Sequence, residues 1–151
     1  MLDLLKIAPY TVFDVNLRAP HYSIAEIELY MSLSNFIKFN DDETEEISNA
    51  LGHKRNSIKD QVQFISNKTA AQTICVTLGK NGAILFHKET FYTQKGYPAR
   101  VVDTVGAGDS FLGTLLSLLL QEKSPDESLG KACAIGRLEL KKKEQTQKLQ
   151  K

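Results

Sequence analysis

Apolar and polar positions along this chain switch repeatedly between the period of strands and the period of helices. Short runs rich in β-branched and aromatic residues, typical of strands, alternate with stretches whose apolar residues recur every three or four positions. Strands are predicted at residues 10–15, 36–39, 72–77, 83–87 and 90–94, with a short strand entry at 99–102. Helices are predicted at residues 2–8, 24–33, 41–51, 111–120 and 125–136, and one more starts after Ser57. This order predicts an α/β fold around a mostly parallel sheet.

Local side-chain signals mark the starts and ends of several predicted helices. Ser23 stands three residues before Glu26, which is the spacing of a capping box at a helix start. Ser124 and Pro125 match the N-cap and the first position of the last helix, and Gly52 is expected to end the third one. The predicted element boundaries therefore have local chemical support.

Two segments are apolar enough to predict burial. The strand over residues 10–15 is rich in β-branched and aromatic side chains, and the helix over residues 111–120 is apolar nearly all round. The alternating stretches 83–87 and 90–94 predict a hairpin that turns at Lys88 and Glu89. We expect both apolar segments to lie in the core.

Composition narrows the class of protein. The 151 residues fit one domain, and 42% hydrophobic with 25% charged residues is ordinary for a soluble globular protein. A net charge of +1 argues against nucleic-acid and membrane partners, and the longest apolar run is too short to span a bilayer. The start lacks a signal-peptide pattern, so a cytoplasmic protein is expected. Cys75 and Cys133 lack metal-ligand spacing and are expected to be buried, reduced thiols.

The most informative stretch is Asp103-Thr104-Val105-Gly106-Ala107-Gly108-Asp109, directly before the apolar helix. Glycines without a Cβ allow an anion to approach the backbone, and the first N–H groups of a helix lack intrahelical partners. Asp109 beside such an anion site suits a base that takes a proton from a group attacking phosphate. The alternative is a glycine turn capped by Asp before a core helix.

This stretch resembles the second signature of the ribokinase-like (PfkB) carbohydrate kinases. The resemblance implies a three-layer α/β/α fold, ATP as the phosphate donor and Mg²⁺ as its metal. It also implies that Gly106, Ala107 and Gly108 form an anion hole, and that Asp109 is the catalytic base next to the sugar. Asp103 and Thr104 would contribute to the nucleotide side of the site.

A second resemblance lies after the first predicted strand. Fructokinase-like members of the family carry a similar Phe-Asp-x-Asn-x-Arg stretch, which Asp14, Asn16 and Arg18 match. Ligands of open α/β sheets gather outside the carboxyl ends of strands. The resemblance therefore implies substrate contacts for Asn16 and Arg18, while a solvated loop cation is the alternative for Arg18.

Asn40 and Glu43 match the family's N-x-x-E motif, which lies near the magnesium and the phosphates. Carboxylate and amide oxygens suit a hard, hydrated cation, so Mg²⁺ would be held through water. The alternative is helix capping, because Asn is a good N-cap and acids favour a first turn. Both roles can hold at once.

Thr77 and Gly79 resemble the family's T-x-G element, which helps to hold the nucleotide phosphates, and Gly82 follows in the same turn. Taken alone the element is a weak signal, because strands that end in Thr-Leu-Gly are common. We therefore assign these residues to the cofactor site only through the resemblance.

The resemblance covers roughly residues 9–136, about the second half of the family's usual chain, so the fold is expected to be truncated at its N-terminal side. Residues 1–136 are interpreted as the C-terminal part of a kinase domain, and residues 137–151 as a charged tail, disordered or solvated. One codon spelling of Lys143–Lys148 encodes Gly-Ala-Asn-Pro in another frame, close to what the family has there. A frameshift is therefore one hypothesis for the tail, and a natural or designed charged tail is the other.

The resemblance implies ATP-dependent phosphorylation of a sugar hydroxyl, with a fructose-like ketohexose as first choice. Weak or absent activity is expected from this chain, because half of the site is missing. The alternative class is a non-catalytic nucleotide- or anion-binding remnant, or a subunit that needs a partner chain. The sequence is also compatible with a homo-oligomer.

Overall fold

The computed structural model describes residues 2–54, 57–96 and 106–149. Its helices and strands follow the predicted order. They are α1 (Leu2–Ile7), β1 (Val12–Asp14), α2 (Ile24–Ser32), β2 (Phe36–Asn40), α3 (Asp41–Ala50), α4 (Ile58–Lys68), β3 (Thr73–Thr77), a 3₁₀ turn (Gly79–Asn81), β4 (Gly82–His87), β5 (Thr90–Lys95), α5 (Ala107–Leu120) and α6 (Pro125–Leu149). The predicted strand entry at 99–102, together with Asp103 and Thr104, lies outside the described residues.

The strands form one sheet in the order β1-β2-β3-β4-β5. Strands β1, β2 and β3 are parallel, with Val12 opposite Phe36 and Asn40 opposite Thr77. Parallel strands end at the same edge of a sheet, so the polar residues that follow these three strands lie along one edge. The prediction of an α/β fold around a mostly parallel sheet is confirmed.

Strands β4 and β5 form the predicted hairpin over a two-residue turn. Lys88 and Glu89 have φ angles of 47° and 63°, so both adopt the left-handed conformation. That combination fits a type I′ turn, whose twist matches the right-handed twist of paired strands. The turn forms here without the glycine that usually accompanies it.

The first of two compact units comprises Met1–Thr77 and Ile84–Phe91. Its central strands β2 and β3 are almost continuously buried, as expected for parallel strands covered on both faces. Helices α2, α3 and α4 each bury apolar side chains, although Leu29 of α2 is 43% exposed. The core side chains of this unit include Phe36, Ile37, Phe39, Ile74, Val76, Ile27, Met31, Ile47, Val62 and Ile65.

Two of the helices in this unit begin with complete capping boxes. Ser23 and Glu26 exchange side-chain and backbone hydrogen bonds at the start of α2, which confirms the predicted start. Asn40 and Glu43 do the same at the start of α3. Each box satisfies two N–H groups that a helix leaves without intrahelical partners.

The prediction that the first strand is buried was wrong. Strand β1 is shorter than predicted, Val12 is 41% exposed, and Phe13 and Asp14 are half-buried. The reason is its place at the end of the strand order, where β2 is its neighbour on one side. Apolar composition predicted the strand, but it did not predict an edge.

The second compact unit comprises Leu78–Ala83 and Tyr92–Lys151. Helix α5 packs against α6, and Phe111, Leu115, Leu129 and Ala132 are buried. The prediction that α5 is buried all round was wrong, because only Phe111 and Leu115 of its described side chains are buried. Leu120 is 64% exposed.

Helix α6 starts at Pro125 as predicted, with the N–H of Glu127 donating to Oγ of Ser124 (3.3 Å). The prediction that it ends at Gly136 was wrong, because its backbone stays helical to Leu149. Lys, Glu, Gln and Leu are strong helix formers, and neither Gly nor Pro follows Gly136. The division at residue 136 stays a prediction. No helix in the described ranges is both long and apolar enough to span a bilayer.

Candidate functional site

In the first unit, the predicted residues Asn40 and Thr77 lie side by side at the ends of two strands. Asn40 ends β2 and stands opposite Thr77, which ends β3. The hydroxyl of Thr77 donates to the carbonyl oxygen of Phe39 (3.3 Å), so this side chain is directed toward β2. The structure therefore brings together one predicted phosphate-side residue and one predicted metal-side residue.

The capping box at the start of α3 uses both Asn40 and Glu43. The N–H of Glu43 donates to Oδ1 of Asn40 (2.8 Å), and the N–H of Asn40 donates to Oε2 of Glu43 (2.8 Å). Asp41 and Asp42 share the first turn and are exposed. The capping role, one of the two considered for these residues, is thus present in the structure.

The other carboxylate oxygen of Glu43 contacts the loop after β1. The N–H of Leu17 donates to Oε1 of Glu43 (2.9 Å), and Glu43 is only 8% exposed. Leu17 stands between the predicted substrate residues Asn16 and Arg18, both of which are exposed. The structure therefore brings the Asn16–Arg18 loop next to the start of α3, a contact that no sequence pattern had indicated.

A partly buried ion pair anchors the beginning of this loop. The ammonium group of Lys38 lies 2.8 Å from Oδ1 of Asp14, and Lys38 is 9% exposed. The N–H of Val15 also donates to the carbonyl oxygen of Lys38 (3.0 Å). Sequence reasoning missed Lys38, although a lysine in the middle of an apolar strand is a usable signal, because buried charges require a partner.

The magnesium prediction can be tested against the donors present. Asn40 and Glu43 offer the oxygen ligands that a hard cation prefers. However, Oδ1 of Asn40 and both carboxylate oxygens of Glu43 already accept backbone hydrogen bonds. Across the described part of the chain, no group of three or more His, Cys, Asp or Glu residues is arranged to hold a metal ion. These residues therefore fit Mg²⁺ through bridging water better than by direct ligation.

In the second unit, Gly106, Ala107, Gly108 and Asp109 form the start of α5. Gly106 is its N-cap in the left-handed conformation, with φ 83° and ψ −13°, and its carbonyl oxygen accepts from the N–H of Ser110 (3.1 Å). A Cβ added to Gly108 would meet no heavy atom within 4 Å. Asp109 is exposed in the first turn. The backbone thus has the form of an open helix N-terminus with a carboxylate beside it, the arrangement that binds anions.

Gly79 and Gly82 flank the 3₁₀ turn of the same unit. Both have positive φ, 53° and 104° respectively. A Cβ on Gly79 would point into open space, whereas a Cβ on Gly82 would lie 2.0 Å from the carbonyl oxygen of Gln94. Close backbone packing therefore accounts for glycine at position 82, whatever its part in ligand binding.

Two cavities lie away from the predicted residues. One of about 530 Å³ runs between α5 and α6, and one of about 560 Å³ lies near the amino end of β3 and the β4–β5 turn. Their lining residues include Gly113, Leu118 and Ile135 in the first, and Ser66, Gln72 and Lys88 in the second. Neither of these two cavities is lined by a residue of the glycine turn.

Comparison with known proteins identifies the family. The sequence profile described as pfkB family carbohydrate kinase matches residues 1–151. The chain belongs to the pfkB family of carbohydrate kinases. The family resemblance of the glycine turn is thereby confirmed.

Among pfkB relatives, fructokinase-2 of Solanum habrochaites is 32% identical over 143 residues, which cover 87% of this chain and 42% of the relative. A ribokinase of Haemophilus influenzae is 31% identical over 107 residues, covering 69% of this chain and 34% of the relative. The chain therefore spans less than half the length of these curated relatives.

Solved structures agree on the fold. The chain resembles aminoimidazole riboside kinase from Salmonella enterica with a TM-score of 0.70 and 27% identity, covering 87% of this chain and 46% of that one. It resembles 2-dehydro-3-deoxygluconokinase from Thermotoga maritima with a TM-score of 0.79 and 22% identity, covering 92% and 48%. The predicted ribokinase-like three-layer α/β fold is confirmed.

Proposed function

We propose that this chain is part of an ATP-dependent kinase that phosphorylates a hydroxyl group of a ketohexose such as fructose. Its pfkB family supports phosphotransfer to a carbohydrate. The preference for fructose rests on the similarity to plant fructokinases and on the match at Asp14, Asn16 and Arg18. A fructokinase from Vibrio cholerae with the same fold was solved in a fructose-, ADP- and potassium-bound form, which is compatible with this choice.

The observation that carries the proposal is the open helix N-terminus at Gly106–Asp109. Its first N–H groups precede the first intrahelical hydrogen bond, and the helix dipole adds partial positive charge. Gly108 leaves space for a ligand atom where any other residue would place a Cβ. A phosphoryl group bound here would be stabilised by these N–H groups and by the helix dipole.

Asp109 would act as the base in this reaction. Its carboxylate lies in the first turn of α5, beside the proposed phosphoryl site. It would accept the proton of the sugar hydroxyl while that oxygen forms a bond to the γ-phosphorus and the bond to ADP breaks. The backbone N–H groups of residues 106–109 would stabilise the negative charge that develops on the transferred group.

The remaining residues are assigned to the nucleotide and the substrate. Thr77, Gly79 and Gly82 would flank the phosphates of ATP, together with Asp103 and Thr104, and Asn16 and Arg18 would contact the sugar. Asn40 and Glu43 would hold Mg²⁺ through water. When bound, Mg²⁺ neutralises charge on the phosphates.

Little or no turnover is expected from this chain alone. Phosphoryl transfer depends almost entirely on positioning and electrostatics, so losing the orientation of one substrate costs orders of magnitude in rate. The chain spans 42% of the plant fructokinase that it matches. The second candidate is a nucleotide- or anion-binding remnant or a subunit completed by another chain, because the helix N-terminus at Gly106–Asp109 could bind an anion without a sugar site.

Calorimetry with Mg·ATP, paired with a fructose phosphorylation assay, tests the proposal. Asp109→Asn should leave ATP binding largely intact and abolish whatever turnover the parent shows. Gly108→Ala should weaken ATP binding, because its methyl group occupies the space reserved for phosphate. Gly113→Ala is the matched control, since Gly113 lies in the same helix and also has no atom within 4 Å of an added Cβ.

Each outcome has a defined meaning. Turnover by the chain alone would support the kinase and overturn the expectation of little or no activity. ATP binding without turnover is the expected result and agrees with an incomplete kinase as well as with the remnant, whereas absence of ATP binding would contradict both. Equal ATP affinity in Gly108→Ala and Gly113→Ala would remove the glycine turn from the phosphate site. Full turnover in Asp109→Asn would remove Asp109 from the mechanism.

A further inference from the structure

We propose that Glu43 is a positioning residue: its carboxylate fastens the Asn16–Arg18 loop to the start of α3 and so sets the place of the proposed sugar-binding side chains. The substrate part of this inference rests on the proposed function, whereas the attachment itself does not. It differs from the role that the family resemblance implies, in which Glu43 acts toward magnesium.

The two oxygens of Glu43 do different things. Oε2 accepts from the N–H of Asn40 (2.8 Å) and completes the capping box of α3. Oε1 accepts from the N–H of Leu17 (2.9 Å), which is 26 residues away along the chain. A capping box needs only the first of these bonds. The second bond is therefore an additional feature, and it joins the loop to the helix.

Other contacts hold the loop on either side of Leu17. At its start, Val15 donates to the carbonyl oxygen of Lys38, next to the ion pair of Lys38 with Asp14. At its end, the hydroxyl of Tyr22 donates to a carboxylate oxygen of Glu46 on α3. Glu43 supplies the attachment between these two ends, where Asn16 and Arg18 lie.

Because Glu43 is buried, replacing its hydrogen bond to Leu17 by direct ligation of a metal ion would be unfavourable. Glu43 is largely buried, and hydrogen bonds to a charged acceptor are stronger than those between neutral groups. If Oε1 ligated Mg²⁺ directly, it could no longer accept the hydrogen bond from the N–H of Leu17. That N–H would then lack a partner in a partly buried place. We therefore expect Glu43 to keep the loop attached when magnesium is present.

Amide hydrogen exchange of the full chain, followed by NMR, tests the attachment directly. In Glu43→Ala the amide of Leu17 should exchange at least about tenfold faster than in the parent, because local opening then lacks its main opposing bond. Glu43→Gln retains one acceptor oxygen and should give an intermediate rate. Glu45→Gln is the matched control, since Glu45 is an exposed acid of the same helix.

A second amide separates release of the loop from damage to the helix. The amide of Ile47, buried in α3, should keep its protection in Glu43→Gln. Unchanged exchange of Leu17 in both Glu43 variants would overturn the proposal. Titration of the parent with Mg²⁺ alone should leave Leu17 protected, and acceleration by Mg²⁺ would show that Glu43 leaves the loop for the metal.

Fructose titration connects the attachment to the proposed function. If the loop binds the sugar, Glu43→Ala should raise the Kd for fructose about tenfold, with or without Mg²⁺. Arg18→Ala should then weaken fructose binding less in the Glu43→Ala background than in the parent. Equal fructose affinity in the parent and in Glu43→Ala would overturn the positioning role. Release of Leu17 in Glu43→Ala, with no fructose binding by the parent, would support the attachment and count against the proposed function.

Discussion

Replacing Gly82 with alanine should strongly destabilise the turn between β3 and β4. The new Cβ would lie 2.0 Å from the carbonyl oxygen of Gln94 and 2.5 Å from the amide nitrogen of Gly96. Both atoms belong to the backbone, so no side-chain rotation can relieve the overlap. Gly96 faces the same restriction, because its own Cβ would lie 1.9 Å from the carbonyl oxygen of Lys80.

Two costs add in this variant. Position 82 has φ 104°, where a residue with a Cβ is strained by about 1–3 kcal/mol. Moving the backbone to make room for an extra methyl group costs about another 1–3 kcal/mol. The free energy of unfolding should therefore fall by about 2–6 kcal/mol, a large part of the stability of an ordinary domain.

Urea unfolding monitored by circular dichroism measures this change. The midpoint for Gly82→Ala should drop by at least about 0.7 M, given a urea dependence of about 1–3 kcal/mol per molar. The control is Gly113→Ala, in the interior of α5 with no atom near an added Cβ, where better helix propensity should stabilise by up to about 1 kcal/mol. Equal midpoints for Gly82→Ala and the parent would refute the close backbone contact.

Three smaller predictions follow from single groups. Burial, with a lesser contribution from the charge of Lys88, lowers the pKa of His87 from 6.5, so the unfolded chain binds the proton more tightly than the folded chain does. The free energy of unfolding should therefore fall as the pH drops below 6.5, and it should fall less in His87→Gln. Urea midpoints at about pH 8 and about pH 5 measure this difference. Burial raises the pKa of Cys133 from 9.0 to about 11. Iodoacetamide should therefore label Cys133 about a hundredfold more slowly than it labels a cysteine peptide at neutral pH, and a labelling rate like that of the peptide, measured by mass spectrometry, would contradict this. Ser23→Ala removes the capping oxygen of α2 and should cost about 1 kcal/mol of unfolding free energy, whereas an unchanged urea midpoint would deny the cap a stabilising role.

Features encoded by neighbouring residues could be predicted from the sequence. The capping box of Ser23 and Glu26 depends on residues three positions apart, and the turn at Lys88 and Glu89 depends on the length between two alternating runs. The glycine turn before α5 was predicted for the same reason, since Gly106 and Asp109 act within one helical turn. Local chemistry determines such features almost completely.

Burial and long-range contacts could not be predicted in the same way. Whether Val12 or Leu120 is covered depends on which elements pack beside β1 and α5, and hydrophobic composition does not contain that information. The bond from Leu17 to Glu43 joins residues 26 positions apart, and its meaning appears only once β1 and β2 are paired. The charge-rich composition beyond Gly136 predicted a solvated or disordered tail, whereas the high helix propensity of Lys, Glu, Gln and Leu favours the helix that α6 forms there.

The order of the sheet has a consequence for how the chain reaches its structure. Among the described strands β1 to β5, neighbours in the sheet are also neighbours along the chain, so these pairings form between consecutive strands. Pairing of consecutive strands closes smaller loops than pairing of distant strands would, although each parallel pair still needs a helical crossover between its strands. During synthesis, β1 and β2 can pair before β3 has been made, and each later strand adds to an existing edge. The described strands can therefore pair in the order in which they are synthesised.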